Sequence, residues 1–126
     1  MAVKATKTKR SAHLCPRFQA AMDVLARPWN GLILASLASG PTRFSALRAR
    51  VEVMGDRMLS NRLKDLEARG LVSRQILPGR PVGVEYRLTP LGIGFRDVST
   101  VLSRWGARIA AAEPALTRAR KRARSP

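Results

Sequence analysis

The sequence predicts a mainly α-helical domain that carries one small β-hairpin and ends in a long helix. Three observations lead there. Apolar residues recur at steps of three and four through most of the chain. One stretch, near residues 71–88, shifts towards a period of two, that of a strand. Beyond it, large apolar residues keep a heptad-like spacing for about three repeats. A length of 126 residues suits a single domain.

Phe18, Met22 and Leu25 mark the first helix. Pro28 interrupts it, since proline donates no amide hydrogen and crowds the preceding turn. Trp29, Leu32, Ile33 and Leu37 mark a second helix, stopped by Gly40-Pro41. Thr42-Arg43-Phe44 reads as a short extended piece, with Ser45 as the N-cap of a third helix. That helix is expected to bury Phe44, Leu47 and Val51 and to show Arg43, Arg48 and Arg50 to solvent. After Gly55, a fourth helix from about Asp56 to Arg69 sets Leu59, Leu63 and Leu66 on one stripe and Arg57, Ser60, Asn61 and Lys64 on the other. Gly70 closes it.

Leu71 to Leu77 reads as a strand, Pro78-Gly79-Arg80-Pro81 as a tight turn, and Val84 to Leu88 as a returning strand with Val84, Tyr86 and Leu88 on one face. Thr89 is placed to cap a last helix, with Pro90 at its first position, where a missing N–H costs nothing. That helix is predicted to run to about Ala112 and to align Leu91, Phe95, Val98, Leu102, Trp105 and Ile109; Pro114 is its expected end. The expected organisation is therefore a basic, mobile arm at 1–13, a folded domain at 14–113 whose last helix occupies about 90–112, and a disordered basic tail at 114–126.

Charge indicates the partner. Lys and Arg number 24 against 8 Asp and Glu, a formal net charge of +16. Nine of the basic residues sit in the two acid-free ends: Lys4, Lys7, Lys9 and Arg10 at one, Arg118, Arg120, Lys121, Arg122 and Arg124 at the other. Such a balance favours polyanions. No apolar run approaches the ~20 residues of a membrane span, and no secretory leader follows the basic start. The single cysteine, Cys15, excludes an internal disulfide framework and fits a reducing cytoplasm. No cofactor signature, metal-ligand spacing, Ser/His/Asp set or phosphate-cradling glycine loop is present, so an enzyme is not expected.

Helices, then a hairpin with a basic tip, then a long helix: this is the order of a winged helix-turn-helix with a dimerisation helix. An α-helix fits the major groove of DNA, and the fourth helix offers Arg57, Ser60, Asn61 and Lys64 outward. Arginine and asparagine can each make paired bonds to base edges. Arg43, Arg48 and Arg50 suit phosphate contact, and Arg80 sits where a wing tip meets a neighbouring groove. The alternative for the fourth helix is an ordinary solvated polar face. The stripe Leu91, Phe95, Val98, Leu102 and Trp105 is more apolar surface than this core needs, and a second copy of the chain is the expected cover.

Several runs carry a family resemblance. Cys15-Pro16, Trp29 with Leu32-Ile33-Leu34, and Gly40-Pro41 with Arg43-Phe44 and Leu47-Arg48 resemble the HxlR-type regulators. So do Met58-Leu59, Leu63-Lys64 with Leu66-Glu67 and Gly70-Leu71-Val72, Val84-Glu85-Tyr86 with Leu88-Thr89 and Leu91-Gly92, and Trp105-Gly106. The resemblance spans roughly residues 15–110. It implies a cytoplasmic winged helix-turn-helix homodimer that controls transcription, commonly as a repressor, on double-stranded DNA with a palindromic operator. The chain departs from the pattern at Pro28, where a basic residue is common, and at Gly55, where serine is. The resemblance also makes Cys15 a candidate sensor of oxidants or electrophiles, so that a small-molecule inducer is expected; His13, Arg17 and Arg10 lie near it, and positive charge favours thiolate. The other reading of Cys15 is a packed or merely inherited cysteine with no such role. For the whole chain the alternative is a sequence-tolerant architectural nucleic-acid-binding protein, suggested by the basic ends.

Overall fold

A computed structural model describes residues 15–124, in the order α1 (Pro16–Leu25), α2 (Asn30–Leu37), β1 (Thr42–Arg43), α3 (Phe44–Arg50), α4 (Asp56–Ala68), β2 (Val72–Leu77), β3 (Gly83–Leu88), α5 (Pro90–Ile93) and α6 (Phe95–Arg124). The expected arm at 1–13, with Lys4, Lys7, Lys9, Arg10 and His13, lies outside the described residues. The predicted hairpin is present, with Val72 opposite Leu88 and Leu77 opposite Gly83. The extended piece Thr42-Arg43 joins it as a third antiparallel strand, in the order β1-β3-β2, with Thr42 opposite Tyr86 and Arg43 opposite Glu85.

Helical periodicity chose most of the core: in the second helix Ile33 and Leu37 are buried as expected, whereas Leu32 is exposed and Leu34 takes its place inside. Ile33, Leu34 and Leu37 from α2, Leu47 from α3, and Leu59, Leu63 and Leu66 from α4 are all essentially inaccessible to solvent and pack with Val51, Val72, Tyr86 and Leu88. Phe44 is half-buried, its ring tilted against Tyr86 with centroids 6.4 Å apart. Arg43 rather than Ser45 precedes the first helical residue of α3, because β1 passes straight into the helix. Thr89 caps α5 as expected: its Oγ1 accepts from the amide of Gly92 and donates to the carbonyl of Gly70.

Three features differ from the sequence reading. Trp29 is not on the buried face of the second helix; it stands between α1 and α2 with φ of 71° and is 43% exposed. Asn30, beside it, is the residue that goes inside, fully buried, with Nδ2 donating to the carbonyl of Val24. The terminal helix is divided at Gly94 into a one-turn α5 and the 30-residue α6. Finally, Pro114 does not end α6, which continues to Arg124 and replaces the expected disordered tail at least that far. Proline removes one amide donor, but here both flanks are alanine-rich and exposed, so water can satisfy the freed carbonyl and the ring meets no packed neighbour.

Gly92 explains why α5 is so short and so close to the rest. It is buried, and a methyl group built on it would overlap the backbone carbonyl oxygen of Leu71. That same oxygen accepts from the amide of Thr89. The start of the hairpin and the root of the long helix thus meet backbone to backbone, an approach open only to glycine.

Candidate nucleic-acid interface

The fourth helix of the sequence reading is α4, and its residues divide into three stripes. Leu59, Leu63 and Leu66 face the core. Arg62, Asp65 and Arg69 form an anchoring edge that the sequence reading did not identify. The Nε of Arg62 donates to the carbonyl of Pro28 at 2.9 Å, Asp65 accepts from Arg69 at 3.0 Å, and Asn30 donates to Asp65 at 3.4 Å. Burial pushes the Asp65 carboxyl upward, yet the bonds from Asn30 and Arg69 and the charges of Arg69 and Arg27 outweigh it and hold the carboxyl below the ordinary aspartate value. The turn between α1 and α2 is therefore tied to the back of α4.

The third stripe holds Arg57, Ser60, Asn61 and Lys64, one or two helical turns apart. Arg57, Asn61 and Lys64 are exposed and Ser60 is half-buried. None of the four makes a hydrogen bond or ion pair among the described residues. A polar stripe left unpaired beside an anchored one is what a groove-reading helix requires: the backbone is held and the reading side chains stay open.

The other predicted contacts fare differently. Arg43 is exposed on β1 and Arg80 on the hairpin turn. Arg48 is bonded to Asp56 across the α3–α4 turn at 3.2 Å, both side chains more than half exposed, so a phosphate would compete with a weak surface pair. Arg50, also read as solvent-facing, donates from Nη1 to the carbonyl of Ser36 at 3.0 Å and serves the α2–α3 packing. No spacing rule could have distinguished Arg50 from Arg43; the partner lies 14 residues away.

Along the last helices, Leu91, Val98, Leu102 and Trp105 are 67%, 43%, 38% and 59% exposed. Phe95 differs: it is half-buried and packs against the protomer's own core. The stripe runs through its predicted last residue, Ile109, and continues to Leu116, seven residues further on. Phe18 and Met22 of α1 add further exposed apolar surface, and an apolar groove of about 220 Å³ runs between α1 and the last helices, lined by Val24, Leu25, Phe95 and Val98. Cys15 is an exposed free thiol immediately before α1, which removes the packed reading. Among the described residues no cluster of side chains is suited to a metal ion, and no helix is long and apolar enough to cross a membrane.

Comparison with known proteins agrees with this geometry. The sequence profile described as HxlR-like helix-turn-helix matches residues 24–114. The HTH-type transcriptional regulator YvaP of Bacillus subtilis is 39% identical over 94 residues, covering 75% of this chain and 87% of YvaP. The reduced form of the B. subtilis transcriptional regulator YodB superposes with a TM-score of 0.66 at 38% identity, covering 73% of this chain and 90% of YodB. The quinone-bound form of YodB gives a TM-score of 0.66 at 34% identity over 75% of this chain and 99% of that one.

Proposed function

Since the chain belongs to the HxlR-like helix-turn-helix family and is a transcriptional regulator with a helix-turn-helix DNA-binding fold, we propose that it is a sequence-specific repressor that binds a palindromic operator as a homodimer in the cytoplasm. The observation that carries this reading is the unpaired stripe of α4: Arg57, Ser60, Asn61 and Lys64 are held on an anchored helix with no partner of their own among the described residues. In the complex α4 lies in the major groove, Arg57 and Asn61 read base edges, Lys64 and Ser60 contact bases or adjacent phosphates, and Arg43, Arg48 and Arg80 position the backbone. The exposed stripe of Leu91, Val98, Leu102 and Trp105 supports the second half: two copies joined there present two reading helices to a two-fold symmetric site.

The inducer is a small electrophile with an activated carbon–carbon double bond: the Cys15 sulfur adds to it, a carbon–sulfur bond forms as the π bond and the S–H bond break, and the thiol proton ends on the electrophile. Support comes from the exposed thiol and from the similarity to a regulator with a quinone-bound form.

Selection of bound duplexes from a randomised pool tests the function. The expected product is a dyad-symmetric sequence with half-sites about one helical turn, ~34–36 Å, apart, bound at least ~10³-fold more tightly than random duplex. Equal affinity for unrelated duplexes would replace this reading with the architectural alternative.

A further inference from the structure

Between α4 and the hairpin lies an open groove of about 450 Å³. Its polar side is built from Arg43, Ser45, Ser60 and Arg74, and no acidic residue lines it. Neither arginine side chain has a hydrogen bond or ion pair among the described residues, unlike Arg48, Arg50, Arg62, Arg69, Arg87 and Arg96, which are all engaged. Glu85, the one acid on β3, is taken by Arg87 at 2.9 Å. Arg74 stands directly opposite Tyr86 in the sheet, which puts it on the face that packs towards α4. Arg43 reaches across to the hairpin: a methyl group on Gly83 would lie 3.5 Å from its Nη1. Both arginines line a groove that has no acid in its lining, so an anion there would meet positive charge only.

The geometry points to a single occupant. We propose that this groove seats one deoxyribose-phosphate unit of the bound duplex, with Arg43 and Arg74 on the phosphate and Val82 and Val84 against the sugar. The inference rests on the DNA-binding reading above. A helix in a major groove and a wing on the adjacent minor groove straddle the one backbone strand that separates those grooves, so that strand must cross between them. The groove offers what that unit presents: donors for a charged phosphate from two guanidinium forks and two hydroxyls, and an apolar wall for the carbon face of the sugar. Arg74 is the new assignment; alternation puts it on the same face as buried Val72, and what it meets there is set by α4 and β3.

The test compares wild type, Arg74→Ala, Arg74→Lys and Asn61→Ala on an operator duplex and a random duplex across a salt series, together with a duplex set in which single phosphates are replaced by neutral methylphosphonates. Arg74→Ala leaves Arg43 alone on that phosphate, so the salt slope of the dimer should fall by at most about 1.8, the value for one lost phosphate contact per half-site, at which a fourfold rise in salt costs about twelvefold less affinity than it costs wild type. Operator and random duplex should weaken by similar factors. Arg74→Lys should keep the slope and lose affinity, because it keeps the charge and loses the fork. One methylphosphonate position per half-site should weaken wild type more than it weakens Arg74→Ala, in which Arg43 alone remains on that phosphate. An unchanged slope, or losses that simply add at every phosphate, overturns the proposal, while operator preference lost in Asn61→Ala keeps the DNA-binding reading intact. A wild type without operator preference overturns that reading instead. Displacement of DNA by millimolar benzoate, abolished in Arg74→Ala, would make the groove an effector pocket and also overturn the proposal.

Discussion

Replacing Gly92 with alanine puts a methyl group where the fold has no space for one. The obstruction is the backbone carbonyl oxygen of Leu71, with the Cδ2 of Leu88 3.3 Å away on another side. A side chain could rotate aside; this carbonyl cannot, because it is held by the amide of Thr89 at 3.0 Å. Overpacking of a well-filled site costs ~1–3 kcal/mol, and a rigid obstacle belongs at the upper end. Alanine's better helix propensity returns at most ~1 kcal/mol. The net expectation is a destabilisation of about 2 kcal/mol, or roughly a 10 °C fall in Tm for a domain of this size. Thermal melts followed by circular dichroism at one protein concentration measure it, the concentration being fixed because dimerisation shifts Tm. Gly55→Ser is the contrast: nothing lies within 4 Å of its Cβ, its backbone is extended, and a serine N-cap should leave stability unchanged or raise it by about a few tenths of a kcal/mol, with Tm held or slightly higher. A Gly92→Ala protein melting within about 2 °C of wild type would refute the backbone-contact argument. Because α5 links the hairpin to α6, the variant should also lose DNA binding at temperatures where wild type retains it.

Four further outcomes are expected. Arg57→Ala and Asn61→Ala should each weaken operator binding by ~1–3 kcal/mol without changing the oligomeric state, as read by titration and gel filtration; unchanged operator affinity in both would remove α4 from the reading role. Wild type should scatter light at about twice the 13.8 kDa chain mass, and Leu102→Asp or Trp105→Asp should halve that mass, since a charge there would be buried without a partner. Asp65→Asn should be less stable than wild type at neutral pH by under ~1 kcal/mol, as this pair is only partly buried. The sign follows from the folded carboxyl lying below its ordinary value: its contribution is present above about pH 4 and is lost as pH falls through the folded value, so urea melts of the two proteins should converge in acid. Benzoquinone should lower operator affinity of wild type and leave Cys15→Ser unaffected; equal loss in both would exclude Cys15 as the sensor.

What the sequence by itself determined are the features that depend on near neighbours along the chain. A helix brings i, i+3 and i+4 to one side, so Leu59, Leu63 and Leu66 identified the buried stripe of α4, and with it the outward stripe of Arg57, Asn61 and Lys64. Alternation and the Pro-Gly turn marked the hairpin, and Thr89-Pro90 marked a helix start within a residue of where it occurs. The tertiary structure decided matters of long-range partnership. Asn30 meets Asp65 across 35 residues, Arg62 meets Pro28 across 34, and Arg96 meets the carbonyl of Ala38 across 58. These contacts separate the arginines that hold the fold together from those left open, a distinction invisible in composition because every arginine carries the same charge. The fate of Pro114 was likewise undecided locally: the same residue stops a packed helix and is tolerated in an exposed one, where water replaces the missing bond. The groove joining Arg43 to Arg74 exists only because β1 crosses to pair with β3, bringing together side chains that lie 31 positions apart in the sequence.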